Sequence, residues 1–292
     1  MNTLKINNLS KTYSNGIRAL NAISLEIKNG MFGLLGPNGS GKSTLMKTIA
    51  GLQQPDSGEL FLNGNDILRN PTIIKQQLGF LPQDFGVYPK ISAVDLLTHI
   101  AILKGISNSL SRKEQVMALL QKTNLFAYRN KEVNRFSGGM RQRFGVAQAL
   151  LGDPNIIILD EPTAGLDPEE RNRFNNLLSE IGEERIIILS THLVEDVRNL
   201  CSNMAIVNQG KLVAQGKPAE FIGNLEGKLW QKTVNKKELL TYEQNYRIIS
   251  SQLISGKLCI HIYSDTDPGN GFHLITPHLE DTYFNLLNAP TI

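Results

Sequence analysis

The chain has 292 residues, 41% of them apolar and 20% charged, the make-up of a globular protein with a core of useful size in one large domain or one domain plus a small appendage. Its net charge of +3 is too close to balance to call for a nucleic-acid partner or an anionic lipid surface. The two cysteines, Cys201 and Cys259, stand too far apart in sequence to suggest a disulfide framework, which fits a reduced cytosolic chain; no signal-peptide core opens the sequence and no run of ~18 apolar residues crosses a bilayer, so any pore is expected from another chain.

Leu4, Ile6 and Leu9 alternate with polar residues and predict a first strand; Ala22 to Ile27 predicts a second. Met31 to Leu35 is a short apolar run of the kind a buried strand carries, and it opens into Gly36-Pro-Asn-Gly-Ser-Gly-Lys-Ser-Thr44. A helix follows with Leu45, Ile49 and Leu52 on one face, ending near Gly51. Helical spacing then dominates, in Val94 to Leu103 and Val116 to Leu120, and predicts a helical insert over about 84–151. Ile156 to Leu159 and Ile186 to Leu189 are continuous aliphatic runs, as expected of parallel strands covered on both faces. Between them a helix starts at Asp167, with Pro168 in its first position and Glu169 and Glu170 in its first turn. Beyond about Gly216 the strands 228–234, 246–254 and 258–263 and a helix led by Thr276-Pro277 make a small α/β tail.

Gly36-x-x-x-x-Gly41-Lys42-Ser43 fits the phosphate-loop pattern, with a strand before it and a helix after it. Glycines at 36, 39 and 41 let backbone N–H groups approach phosphate oxygens, and the helix directs its positive end at the same anion. Lys42 sets a full charge against the outer phosphates and Ser43 offers a hydroxyl to Mg²⁺. The whole stretch Gly36, Pro37, Asn38, Gly39, Ser40, Gly41, Lys42, Ser43 and Thr44 is therefore a nucleoside-triphosphate cradle. A chance glycine-rich turn is the competing reading, and the strand–loop–helix context opposes it. Asp160 and Glu161 close an aliphatic strand, where an open parallel sheet places its ligands. Asp160 suits Mg²⁺, directly or through water, and Glu161 suits the polarisation of a water in line with the terminal phosphate.

With these motifs in order, the rest resembles the nucleotide-binding subunits of ABC transporters. Phe136-Ser137-Gly138-Gly139-Met140-Arg141-Gln142 resembles that family's signature, though Met140 stands where glutamine is frequent and Phe136 where leucine is. Ser137, Gly138 and Gly139 open a helix, a second anion site; in the family it faces the ATP of the partner subunit. Gln83 resembles the glutamine that senses Mg²⁺ and water, and His192 the histidine at the terminal phosphate. Asp167 resembles the loop that crosses the dimer interface, and Tyr13 the aromatic on adenine, although one aromatic in that place also serves as packing. Phe85, Val87 and Tyr88 are either a docking surface for a membrane partner or core of the insert.

The resemblance implies an α/β fold: a P-loop NTPase core of ABC ATPase type (residues 1–220) with N-terminal antiparallel strands and the helical insert, then an α/β extension over 221–292. It implies an ATP hydrolase dependent on ATP and Mg²⁺, working as a head-to-tail pair, expected to be a homodimer, on the inner face of a membrane beside an integral permease. The stretches 136–143 and 165–173, with Leu279-Glu280-Asp281-Thr282-Tyr283-Phe284 near the end, look most like ABC-2-type exporters. Three rivals stand against this. A GTPase needs Asn-Lys-x-Asp, and Asn130-Lys-Glu-Val133 lacks the last residue. A chromosome or repair ATPase needs a long coiled coil between the motifs. A soluble ABC translation factor, the runner-up, usually carries two cassettes.

Overall fold

A computed structural model describes every residue except Asp84, Val87, Tyr88 and 289–292. It opens on β1 (Thr3–Thr12) and β2 (Arg18–Lys28), an antiparallel hairpin, followed by β3 (Gly30–Leu35) and α1 (Lys42–Ile49). Next come β4 (Ser57–Leu62), β5 (Asn65–Asp66), α2 (Pro71–Gln77) and β6 (Leu78–Leu81). The helices α3 (Ala93–Leu103), α4 (Ser109–Lys122) and α5 (Gly138–Leu150) precede β7 (Ile156–Asp160), α6 (Pro168–Ile181), β8 (Ile186–Thr191) and α7 (Val194–Leu200). Then follow β9 (Asn203–Asn208), β10 (Lys211–Gly216) and α8 (Pro218–Gly223). The tail contains β11 (Leu229–Val234), α9 (Leu239–Asn245), β12 (Arg247–Ile254), β13 (Lys257–Tyr263), β14 (His273–Leu274) and α10 (Leu279–Leu287).

The central sheet has six strands in the order β10-β9-β3-β8-β7-β6, parallel from β9 to β6, with β10 antiparallel at the edge. Its aliphatic runs are explained by two-sided burial. Ile157, Leu159, Ile187 and Leu189 enter the core under the helices; Ile156, Ile158, Ile186 and Ile188 enter the core shared with α1 and the antiparallel sheet β2-β1-β4-β5. Each such side chain, fully buried, contributes on the order of 1.5–3 kcal/mol. On β3 the helix side is bare at Gly33, where a Cβ would run into Val197 of α7 and Cys201 just after it, so the glycine sets how closely that helix lies on the sheet.

The helical insert packs through α3, α4 and α5 onto the same core, with Phe136 and Phe144 edge to face at 6.2 Å. Its first helix, Ala93–Leu103, covers the helical spacing read over Val94 to Leu103. β4, β5, α2 and β6 carry weak periodicity and escaped that reading; β6 alternates half-buried and buried residues at the sheet edge. Leu52, expected on the face of α1, is exposed, because the helix ends at Ile49 and Gly51 turns the chain at φ 69°. Phe85 is half-buried with its ring over Gly145 in the large core, which favours its core reading; Val87 and Tyr88 lie outside the described residues.

The tail sheet, ordered β12-β13-β11-β14, has a small core of its own around Val234, Ile260, Ile262 and Phe272. Its helix α10 is shared: Leu279 and Tyr283 join the large core beside Val197 of α7 and Cys201 just after it, while Asp281 accepts a hydrogen bond from His261 of β13 at 2.7 Å. No helix among the described residues is long and apolar enough to cross a membrane.

Phe144 is fully buried where insert and sheet meet. Phe144→Ala is expected to lower unfolding free energy by about 3–5 kcal/mol, read as a lower urea midpoint at an unchanged slope.

Candidate functional site

The strands β3, β8, β7 and β6 lie side by side and parallel, so the loops at their carboxyl ends converge. In that order they deliver Gly36 to Gly41, His192, the Asp160–Glu161 pair and Gln83. An open cavity of about 410 Å³ sits there, and its walls include Tyr13, the loop from Asn38 to Thr44, Gln83, Asp160 and Glu161. Asn15 and Ile17, from the turn of the first hairpin, and Ala19 at the start of β2 complete it; sequence reasoning missed them because nothing in their types signals a ligand.

The phosphate loop is shaped by space as well as conformation. Gly41 has φ 110° and a Cβ there would meet the carbonyl of Ala19; at Gly36 it would meet the carbonyl of Val207 and the Ser40 side chain. Gly41 is also the N-cap of α1 and offers no capping side chain, so the first amides of that helix remain for an outside acceptor. The buried Ser40 hydroxyl has no hydrogen-bond partner among the described residues. Both features suit phosphate oxygens. Lys42, 6% exposed, donates to the carbonyls of Gly36 (2.7 Å) and Pro37 (3.1 Å). Burial pulls its pKa down, and the carboxylates of Glu161 and Asp160 offset part of that.

Burial pushes the Asp160 carboxyl up and Glu161 beside it adds to this, against the Ser190 hydroxyl and the charges of Lys42 and Lys47, which pull it down. Glu161 has φ 48°, a left-handed backbone that costs a side-chain-bearing residue about 1–2 kcal/mol. It is held there because its N–H donates to Ser190 at 2.9 Å and its carbonyl accepts from Ala164 at 3.2 Å. The Glu161 carboxylate accepts from Nδ1 of His192 at 2.9 Å; a carboxylate only accepts, so that nitrogen carries the hydrogen. Beneath this pair lies a fully buried one, in which Thr163 donates to Asp196 of α7 at 2.5 Å. No motif announced Thr163 or Asp196.

Ser43, Asp160 and Gln83 present only oxygen ligands suited to a cation, the set a hard divalent ion prefers. Among the described residues no three His, Cys, Asp or Glu side chains gather to hold a metal. A cation here would therefore take its other ligands from phosphate and water, the habit of magnesium. Tyr13 stands on the cavity wall with its hydroxyl tied to Thr44 and Gln53, each at 3.0 Å, which fixes the ring against α1.

Ser137, Gly138 and Gly139 do not line this cavity. They form the start of α5, where Ser137 caps the helix by accepting from the Met140 N–H at 3.2 Å, and Ser137 and Gly138 are exposed. Asp167 caps α6 as its spacing implied, accepting from the Glu170 N–H at 2.8 Å.

Comparison with known proteins agrees with this geometry. The pattern of the family described as ABC transporter matches residues 20–164. The Nod factor export ATP-binding protein I of Cupriavidus metallidurans is 36% identical over 221 residues, covering 75% of this chain and 72% of that protein. The probable multidrug ABC transporter ATP-binding protein YbhF of Escherichia coli is 31% identical over 271 residues, 88% of this chain; the match spans 47%, about half, of that longer protein. A dimeric ATP-binding cassette solved in a post-hydrolysis state with ADP and Pi superposes with a TM-score of 0.66 at 28% identity, over 73% of this chain and 98% of that one.

Because Asp160 has a raised pKa, its contribution to stability is favourable below the ordinary aspartate range and is lost as pH rises through the raised value. At neutral pH Asp160→Asn is thus expected to raise the melting temperature of the nucleotide-free chain. The difference between variant and unaltered chain should narrow on acidification, which thermal melts across pH would record.

Proposed function

Since this chain belongs to the ABC transporter ATP-binding family, we propose that it is the ATP-hydrolysing subunit of an ABC-2-type exporter, acting as a head-to-tail pair on the cytoplasmic face of a membrane beside an integral permease. The observation that carries the proposal is the separation of two anion sites in one chain: the cavity around Lys42 and the exposed turn at Ser137, which does not reach it. Two copies arranged head to tail bring each turn to the other's cavity, and the dimeric state of the related cassette with ADP and Pi supports that arrangement.

In this reading the amides of the 36–44 loop and Lys42 hold the phosphates, and Tyr13 flanks the base. Ser43, Asp160 and Gln83 hold magnesium, which supplies charge neutralisation on the phosphate oxygens. Glu161 takes a proton from the attacking water, and its bond to His192 keeps the carboxylate in position. Lys42 and His192 oppose charge that develops on the terminal phosphate. The Ser137 turn of the partner closes the site and excludes water. Release of phosphate removes the anion that both half-sites share, and the pair opens; the helical insert carries this movement to the permease.

Glu161→Gln is expected to leave nucleotide binding intact, to slow phosphate release by about 10²–10⁴-fold, and to accumulate a closed dimer seen by size-exclusion chromatography with ATP. Ser137→Arg is expected to stop hydrolysis with no loss of ATP affinity in the monomer, measured with a fluorescent nucleotide. Normal phosphate release from the first variant would remove Glu161 from its role, and weak monomer binding by the second would contradict the two-chain site.

A further inference from the structure

The Ser137 turn does not hold itself in place. Ser137 satisfies one amide of α5, and its neighbour Gly138 has open space around it. Gly139 differs: it is buried, and a Cβ there would strike the carboxylate of Glu170. The absent side chain at 139 is thus the seat of a side chain from another helix. Glu170 lies in the first turn of α6 and also pairs with Arg143, one turn beyond Gly139 on α5. Arg143 is 8% exposed, and its ion pair crosses between the two helices where water is scarce. Arg173 approaches the same carboxylate at 3.6 Å, so Glu170 is flanked by two guanidinium groups.

Glu170 is tied at its other end as well. Its N–H is the one that Asp167 caps, at 2.8 Å, and the segment from Glu161 to Asp167 leads directly into α6. One residue therefore touches the signature turn by its side chain and the loop from the acidic strand by its backbone. An ion pair between a buried Arg143 and a half-buried Glu170 adds little to stability against an apolar alternative, yet it fixes geometry because either partner left alone is costly.

We propose that Glu170, through Arg143 and the bare Cα of Gly139, is the positioning residue that aims the Ser137 turn at the partner's nucleotide. This rests on the two-chain site proposed above. Glu170 touches no nucleotide in its own chain, and its effect is felt on the ATP held by the other copy. Its loss leaves the Lys42 cavity of the same chain intact.

That asymmetry separates a positioning role from general damage. A trace of unaltered full-length chain is mixed with an excess of Glu161→Gln carrier, which binds ATP and turns it over only slowly; the rate of carrier alone is subtracted. Phosphate release then reports the cavity of the trace chain served by the turn of the carrier. Adding Glu170→Ala to the carrier is expected to lower the rate about ten- to a hundredfold, the cost of misplacing a positioning group by an ångström. Placing Glu170→Ala on the trace chain with the intact carrier is expected to leave the rate near normal. Glu170→Gln, which keeps the shape and drops the charge, is run in the same two arrangements and replaces the alanine variant should that fail to fold. A rate that falls in both arrangements, or in neither, overturns the proposal. A Ser137→Arg carrier is the control for the underlying reading: a normal rate with that carrier contradicts the two-chain site itself and leaves Glu170 with no turn to aim.

Discussion

Everything in this molecule is arranged around one electrostatic constraint: a lysine and two carboxylates are held together at the end of a sheet buried on both faces. Lys42 is nearly inaccessible and is bound by two loop carbonyls, with Glu161 and Asp160 close enough to offset part of the cost of its burial. Asp160 in turn is driven toward its neutral form. Perturbed groups gathered at strand ends mark a candidate functional site, and the proposed nucleotide would place its phosphates among them. The left-handed backbone at Glu161 belongs to the same design, since strain of this type persists only where the surroundings over-determine it.

The fold makes this constraint affordable by rigidity. Parallel strands whose alternate residues enter two separate cores cannot slide without exposing one of them. The loops after β3, β8, β7 and β6 are consequently fixed relative to one another, and the buried Thr163–Asp196 bond braces two of them from below. Because α7 carries Asp196 and also packs against α10, the tail is mechanically continuous with the segment that bears His192.

Much of this was legible in the amino-acid sequence, for identifiable reasons. The aliphatic runs at 156–159 and 186–189 announce two-sided burial, and Asp167-Pro168 with its following glutamates announces a capped helix start. Residues 38–44, 83, 160 and 161 line one cavity, a convergence legible beforehand because motif order in an open sheet dictates which loops meet. What escaped depended on tertiary contact. The strands β4, β5 and β6 carry little periodicity, and Leu52 fell beyond a helix that ended sooner than its apolar spacing suggested. Gly139 was read for its backbone, whereas its empty side is filled by Glu170, a residue no local pattern connects with it. Asn15, Ile17 and Ala19 reach the cavity only because the first hairpin folds over it.

In the proposed function the Lys42 cavity of one copy is closed by the Ser137 turn of another, so neither copy works alone. The most direct measurement is the rate of ATP turnover per chain as a function of the concentration of the purified protein. The account requires this specific rate to climb with concentration and to level off once pairs predominate. A specific rate that stays flat from dilute to concentrated protein, in chains shown by sedimentation to be single, would contradict it.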